Sequence, residues 1–277
     1  MTSKEACASA MQILRSGLLP PSDNDLNVLF ELATGRKRYD ITHDVTDDEF
    51  ERLLSLAGRR ASGEPLQYIC GTWPFLDFEV KVDRRALIPR PETEILAETA
   101  ISLLENIPSP AVLDLCSGTG VLALSVKRAR PDAEVTAAEL SEDALSLLAE
   151  NAEKLRLDIA LKRADAFSFS GELKEASLDM IVCNPPYITP SDYSSNYDEL
   201  KEEPVMAFLG GEDGLDFYRY IIPNYRKALK KGGIMAFEIG NEQAEAVTSL
   251  FKASGYSSIT VIKDYSSLDR VVYAIVD

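Results

Sequence analysis

Histidine is almost absent: the 277 residues hold one, His43, and it lies far along the chain from every motif discussed below. A Ser-His-Asp hydrolase or a histidine-ligated metalloenzyme needs imidazole at its centre, so neither class is expected. Cysteine is also sparse. Cys7, Cys70, Cys116 and Cys183 are scattered without a C-x-x-C pair, which argues against a disulfide framework and a structural zinc site. Cys116 and Cys183 sit in or beside apolar runs and read as buried thiols. No stretch reaches the roughly 18 consecutive apolar residues of a membrane span. The segment Met1–Leu14 has no basic patch ahead of an apolar run, so no secretory signal is expected and the cytoplasm is the expected compartment. Positive charge is in deficit, with 29 Lys and Arg against 45 Asp and Glu, a net −16. Binding duplex phosphates calls for a basic excess, so direct nucleic-acid binding is disfavoured. The same acidity serves plain solubility.

What is present divides the chain in two. Over the first 70 or so residues apolar positions recur at helical spacing, as in Ala6, Ala10, Ile13, Leu14 and again in Leu26, Leu29, Phe30, Ala33. Thr46-Asp47-Asp48-Glu49 has the form of a capping box. Behind it Phe50, Leu53, Leu54, Ala57 and Ala61 form one stripe, ended by Gly63 and Pro65. A helical module over 1–72 is therefore expected, with packing or partner binding as its role. Phe75–Val82 alternates at period two, which predicts a strand or hairpin within a connector over 73–90.

From residue 91 to 277 strand and helix patterns alternate. Strands are predicted at Ala111–Leu115, Glu134–Ala138, Ile159–Leu161, Leu178–Cys183, Ile234–Ile239, Ile259–Ile262 and Val271–Val276. Helices are predicted from the Gly-containing turn to about Arg130, after a Ser141 cap, near Asp216–Lys230 and over Glu242–Ala253. Such alternation implies an α/β fold with a mainly parallel sheet covered on both faces.

Two clusters carry chemistry. The first is Asp114-Leu115-Cys116-Ser117-Gly118-Thr119-Gly120, where the first strand passes into a helix. Ligands of open parallel sheets bind at the carboxyl ends of strands, and glycine lets backbone approach them closely. Glu139 falls just after the second strand, 21 residues beyond Gly118, the spacing at which an acid meets a ribose. Its carboxylate can accept from both ribose hydroxyls. The loop departs from G-x-G-x-x-G: Cys116 takes the first glycine's place and no glycine follows Gly120. S-adenosylmethionine has no pyrophosphate to cradle, so the departure favours it over NAD. Asp165, Ala166 and Phe167, after the third strand, are then placed to meet the adenine, Asp165 as acceptor and Phe167 as an apolar wall.

The second cluster is Asn184-Pro185-Pro186-Tyr187, at the end of the fourth strand. A residue before proline is held extended, which fixes the direction of Asn184. Pro185 and Pro186 bring carbonyls without N–H groups. An NH₂ on a carbonyl or heteroaromatic ring is a poor nucleophile because its lone pair is delocalised. The Asn184 side-chain oxygen and the Pro185 carbonyl can grip both its N–H bonds, orient it and stabilise charge developing on it. Tyr187 can lie flat against the planar group, and the chemistry needs neither a metal nor a histidine base.

With these motifs in view, the chain resembles the HemK/PrmC family of glutamine-N5 methyltransferases. The resemblance extends over nearly the whole chain: Gly63–Ile69, Leu87-Ile88-Pro89-Arg90-Pro91-Glu92-Thr93-Glu94, Asp114–Gly120, Asn184–Tyr187, Gly210–Leu215, Phe237-Glu238-Ile239-Gly240 and Asp269–Val272. It implies a class I S-adenosylmethionine-dependent methyltransferase fold, Rossmann-like over 91–277, with the all-helical 1–72 helping to bind substrate. It implies transfer to the glutamine of the Gly-Gly-Gln loop of class I peptide-chain release factors, with S-adenosylhomocysteine as product. Asn184 and Pro185 would hold the glutamine amide and Glu139 the ribose. Cys116 stands where relatives commonly have glycine, and Glu139 where aspartate is more frequent. Three other readings stay open: a ribosomal-protein glutamine methyltransferase, an adenine-N6 nucleic-acid methyltransferase, and a non-enzymatic binding module, which would not need both clusters.

Overall fold

A computed structural model describes residues 1–18, 20–40 and 44–277, so His43 lies outside the described residues. The chain forms two compact units, Met1–Thr72 with Asn196–Glu202, and Trp73–Ser195 with Glu203–Asp277.

The first unit holds α1 (Ser3–Arg15), α2 (Asp23–Thr34), α3 (Asp47–Ala61) and α4 (Leu66–Cys70), with one further helical turn at Tyr197–Leu200. Capping boxes open the first three helices, at Thr2/Glu5, Ser22/Asp25 and Thr46/Glu49. In the expected one, the Glu49 amide donates to Thr46 Oγ1 at 3.3 Å and the Thr46 amide to Glu49 Oε2 at 2.9 Å. Each box satisfies amides that the first turn leaves without partners. The buried stripe of α3 is rotated from the expected one: Leu53, Leu56 and Ala57 are buried, whereas Phe50, Leu54 and Ala61 are half-buried. Leu56 packs where periodicity counted only its neighbours.

The second unit is built on a seven-stranded sheet. A hairpin, β1 (Thr72–Phe75) and β2 (Phe78–Lys81), comes first, and the unit's boundary falls at its start. The sheet strands are β3 (Ala111–Leu115), β4 (Glu134–Glu139), β5 (Ala160–Arg163), β6 (Leu178–Cys183), β7 (Leu229–Glu238), β8 (Tyr256–Lys263) and β9 (Asp269–Val276). Their order is β5-β4-β3-β6-β7-β9-β8. β3 to β7 run parallel, and β9 is antiparallel to both neighbours. Helices α5 (Pro91–Leu103), α6 (Val121–Ala129) and α7 (Glu142–Leu155) are joined by the helices Asp216–Tyr225 and Ala244–Ala253. The expected Ser141 cap is present, accepting from the Ala144 amide.

Several boundaries move. The predicted Asp216–Lys230 helix stops at Tyr225, and β7 begins at Leu229 rather than Ile234. Lys230-Lys231-Gly232-Gly233 has no apolar period to betray a strand, yet Leu229 pairs with Leu178 across a register shift. The third parallel strand runs Ala160–Arg163, almost wholly exposed, so burial could not pattern it.

Register decides where the site lies. Leu115 pairs with Ala138 on one side and with Cys183 on the other. The residues that follow these three, Cys116, Glu139 and Asn184, therefore emerge side by side at the carboxyl rim, near the point where strand order reverses.

Candidate active site

The loop after β3 is shaped by a run of left-handed backbone: Cys116 at φ 61°, Gly118 at 52° and Gly120 at 84°. A side chain at Gly120 would stand 2.5 Å from Leu148 Cγ, so only glycine fits against α7. Around a Cβ placed on Gly118 there is nothing within 4 Å, which leaves that face open to a ligand. Cys116 adopts the same region with a side chain, a conformation costing about 1–2 kcal/mol. It is half-buried, not buried as its apolar surroundings suggested, because it lies on the wall of the cavity described below; Cys183 is buried as expected.

Asp114 lies under this loop, fully buried. One carboxylate oxygen accepts from the Ala123 amide in α6 at 3.1 Å, and the other has no partner. Burial, above all, pushes its pKa up to about 7, against the lowering effect of the hydrogen bond from the Ala123 amide. Ser117 ties the loop to β4: its amide donates to the Ala138 carbonyl at 3.2 Å, and the one proton of its hydroxyl is shared between the carbonyls of Asp114 (2.9 Å) and Ala138 (3.2 Å). Glu139 bridges the same gap: Oε2 accepts from the Gly118 amide at 2.9 Å and Oε1 from the Ser141 amide at 2.8 Å. Each oxygen keeps lone-pair capacity for a further donor.

One cavity gathers most of the expected residues. Cys116, Ser117, Gly118 and Thr119 line it from the loop, with Glu139 beside them and Asp165, Ala166 and Phe167 opposite. Asp114 and Gly120 are not on its wall; they support the loop. The Ala166 carbonyl accepts from Tyr225 Oη at 2.8 Å, and the Phe167 ring rests against Phe217 and Tyr220 with centroids 4.8 and 5.3 Å apart. This side offers the apolar Ala166 and Phe167 beside the acceptor Asp165, while Glu139 is polar and acidic. A nucleoside needs both, so the residues present fit S-adenosylmethionine.

Asn184 and Pro186 line the same cavity; Pro185 is buried off its wall. Asn184 Nδ2 donates to Thr93 Oγ1 at 3.2 Å, and Thr93 Oγ1 donates to Glu238 Oε2 at 2.6 Å. Tyr187 is not on the wall either: its hydroxyl donates to Glu238 Oε1 at 3.2 Å. Glu238 is 1% exposed. Burial raises its pKa, opposed by the hydrogen bonds from Thr93 and Tyr187 and by the charge of Arg270. The loop holding these residues is braced from outside. Gln243 Nε2 donates to the carbonyls of Tyr187 and Gly214, at 3.1 and 3.2 Å. The Gly210 amide donates to the Ile188 carbonyl at 3.0 Å. Across the cavity Arg90 pairs with the buried Glu203 at 2.6 Å, and Glu203 also accepts from the Ile88 amide.

Motif reading missed Thr93, Glu238 and Arg90. Each lies in a segment quoted above for its resemblance, but none had a role, because their contacts span 91 to 145 residues of sequence. Among the described residues no group of three or more Cys, His, Asp or Glu is placed to hold a metal ion, and no helix is long and apolar enough to cross a membrane.

A parallel sheet with a glycine turn, an acid at the next strand end and an Asn-Pro-Pro-Tyr rim define a class I S-adenosylmethionine-dependent methyltransferase. The family description "Methyltransferase small domain" matches residues 93–199 and "PrmC N-terminal domain" matches 5–71. The fold is shared with a 16S rRNA N2 G1207 methyltransferase of T. thermophilus, at TM-score 0.54 and 20% identity over 74% of this chain and 50% of that one. The chain is 34% identical to the release factor glutamine methyltransferase of Moorella thermoacetica, over 99% of this chain and 98% of the relative. It is 37% identical to that of Salmonella typhimurium, over 89% and 90%. The chain belongs to the release factor glutamine methyltransferase family.

Proposed function

We propose that this protein methylates the side-chain amide nitrogen of the glutamine in the Gly-Gly-Gln loop of a class I peptide-chain release factor, in the cytoplasm. The observation that carries this reading is the Asn184 side chain, lining the cavity with its NH₂ group already given to Thr93. Its oxygen is left as an acceptor for an N–H of an incoming amide. The Pro185 carbonyl, next along the chain though its ring is off the cavity wall, is the second acceptor in this reading, and the pair would orient the nitrogen for transfer. S-adenosylmethionine, when bound, supplies an activated methyl group and leaves as S-adenosylhomocysteine.

The chain's own residues do the rest. Glu139 takes the ribose hydroxyls; Asp165, Ala166 and Phe167 receive the adenine; Cys116, Ser117, Gly118 and Thr119 form the floor beneath, on the support of Asp114 and Gly120. Pro186 closes the acceptor side, and Tyr187, whose ring lies off the cavity wall, secures the loop through its hydroxyl on Glu238. As the nitrogen gains its methyl carbon it sheds one proton to solvent, and the two oxygens stabilise the positive charge that builds before the proton leaves. This chemistry assigns no step to a metal. Residues 1–72 are assigned to holding the release factor, 73–90 to connecting, and 91–277 to catalysis.

The test is transfer of labelled methyl from S-adenosylmethionine to a purified release factor, to the same factor with its loop glutamine replaced by alanine, and to DNA. Label is expected on the first alone. Label that survives replacement of the glutamine, or appears on DNA instead, overturns the reading.

A further inference from the structure

We infer that Glu238, acting through Thr93, sets which end of the Asn184 amide faces the acceptor, and so decides whether the site grips an NH₂ group or repels it. The inference rests on the reading above and adds two positioning residues to it.

An asparagine amide is nearly symmetric in shape, so rotation by half a turn exchanges a hydrogen-bond donor for an acceptor at no cost in volume. Nothing in Asn184-Pro185 selects between the two. The selection comes from behind. The Glu238 carboxylate can only accept, so the single proton of the Thr93 hydroxyl is committed to it at 2.6 Å. What Thr93 has left is a lone pair, and that accepts only from Asn184 Nδ2, at 3.2 Å. Asn184 Oδ1 is thereby turned toward the cavity. Were Thr93 to donate to Asn184 instead, the amide NH₂ would face the substrate NH₂, donor against donor.

Burial of Glu238 makes sense in these terms. A carboxylate away from water is costly, and a residue needed only for packing would be neutral. Here both carboxyl oxygens accept, from Thr93 Oγ1 and from Tyr187 Oη, an arrangement that favours the ionised form, while Tyr218 Oη donates to the backbone carbonyl at 2.9 Å. Charged and titratable groups face it from several elements: Glu92 from α5, Tyr187 from the rim loop, Tyr218 from the helix Asp216–Tyr225 and Arg270 from β9. In acid, once Glu238 binds a proton, it can donate to Thr93, and the relay runs backwards.

The experiment uses the full chain with labelled S-adenosylmethionine and the release factor, reading kcat, the Kd of S-adenosylhomocysteine and Tm. Glu238→Gln keeps the shape but replaces one of the two acceptor oxygens by an NH₂, so it can no longer accept from both Thr93 and Tyr187. It is expected to lower kcat about 100-fold, the scale of one transition-state hydrogen bond, with Kd and Tm unchanged. The fall in kcat toward low pH is expected in the wild type and lost in this variant. Thr93→Val is expected to reproduce the kcat loss, and Thr93→Ser, which keeps the hydroxyl, to restore it. Wild-type kcat in both Glu238→Gln and Thr93→Val overturns the inference, as does a loss that follows Tm and Kd and is not restored by serine. A wild type that leaves the release-factor glutamine unlabelled overturns the underlying reading instead, and the two failures are thus distinguishable.

Discussion

Asn184 lines the cavity with its NH₂ given to Thr93, and a methyl group in its place removes the remaining oxygen acceptor while leaving the loop and Glu139 untouched. Asn184→Ala is expected to abolish methyl transfer with unchanged affinity for S-adenosylhomocysteine, measured by calorimetry; undiminished turnover would contradict the role given to it. Asp114 makes a different residue-level prediction. Its carboxyl, with one oxygen lacking a partner and a pKa pushed up to about 7 by burial, is easier to bury protonated than charged. A raised folded-state value means that the favourable contribution is complete below the unfolded value near 4 and is lost as pH climbs to about 7. Relative to Asp114→Asn, the wild type should therefore lose up to about 4 kcal/mol of stability across that window, since each tenfold change in proton affinity is worth about 1.4 kcal/mol. Denaturant titrations of both proteins at pH 4 and pH 8 check this, and a difference that stays constant with pH would refute it.

At the scale of elements, the rim loop depends on a turn that carries no chemistry. Gly214, at φ +73°, packs with its Cβ position 2.2 Å from the Tyr187 carbonyl, and Gln243 clamps both. Gly214→Ala forces that carbonyl away and adds left-handed strain of about 1–2 kcal/mol. A drop in Tm of at least about 3 °C is expected, together with lower kcat, because the displaced carbonyl belongs to the Asn184–Tyr187 loop. An unchanged thermal transition would show that the turn yields freely. Elements were legible where a pattern or a cap announced them. Ala111–Leu115 and Leu178–Cys183 have the predicted ends, and Thr46 and Ser141 cap as read. β7 was cut short because two lysines and two glycines conceal its first half.

For the molecule as a whole, the division between legible and hidden follows sequence distance. The glycine turn, Glu139 and Asn184 each close a strand, and strand ends of one parallel sheet share a rim, so their convergence could be foreseen from order alone. Thr93 and Glu238 come from a helix start and a strand end 145 residues apart, and a Thr-Glu pair at that separation has no pattern to mark it. Packing, not periodicity, brought them behind Asn184.

The position of β9 between β7 and β8 has a consequence for how the molecule is made. Residues 269–276 are the last strand of the sheet to leave the ribosome, yet they fill an interior slot. Until they arrive β7 has a bare edge, with Met235 and Phe237 offering unpaired amides and carbonyls to any neighbouring chain. Nascent protein is thus most at risk of sticking to its own kind in the interval before that strand emerges, and a nonsense mutation ahead of Asp269 would make the vulnerable state permanent.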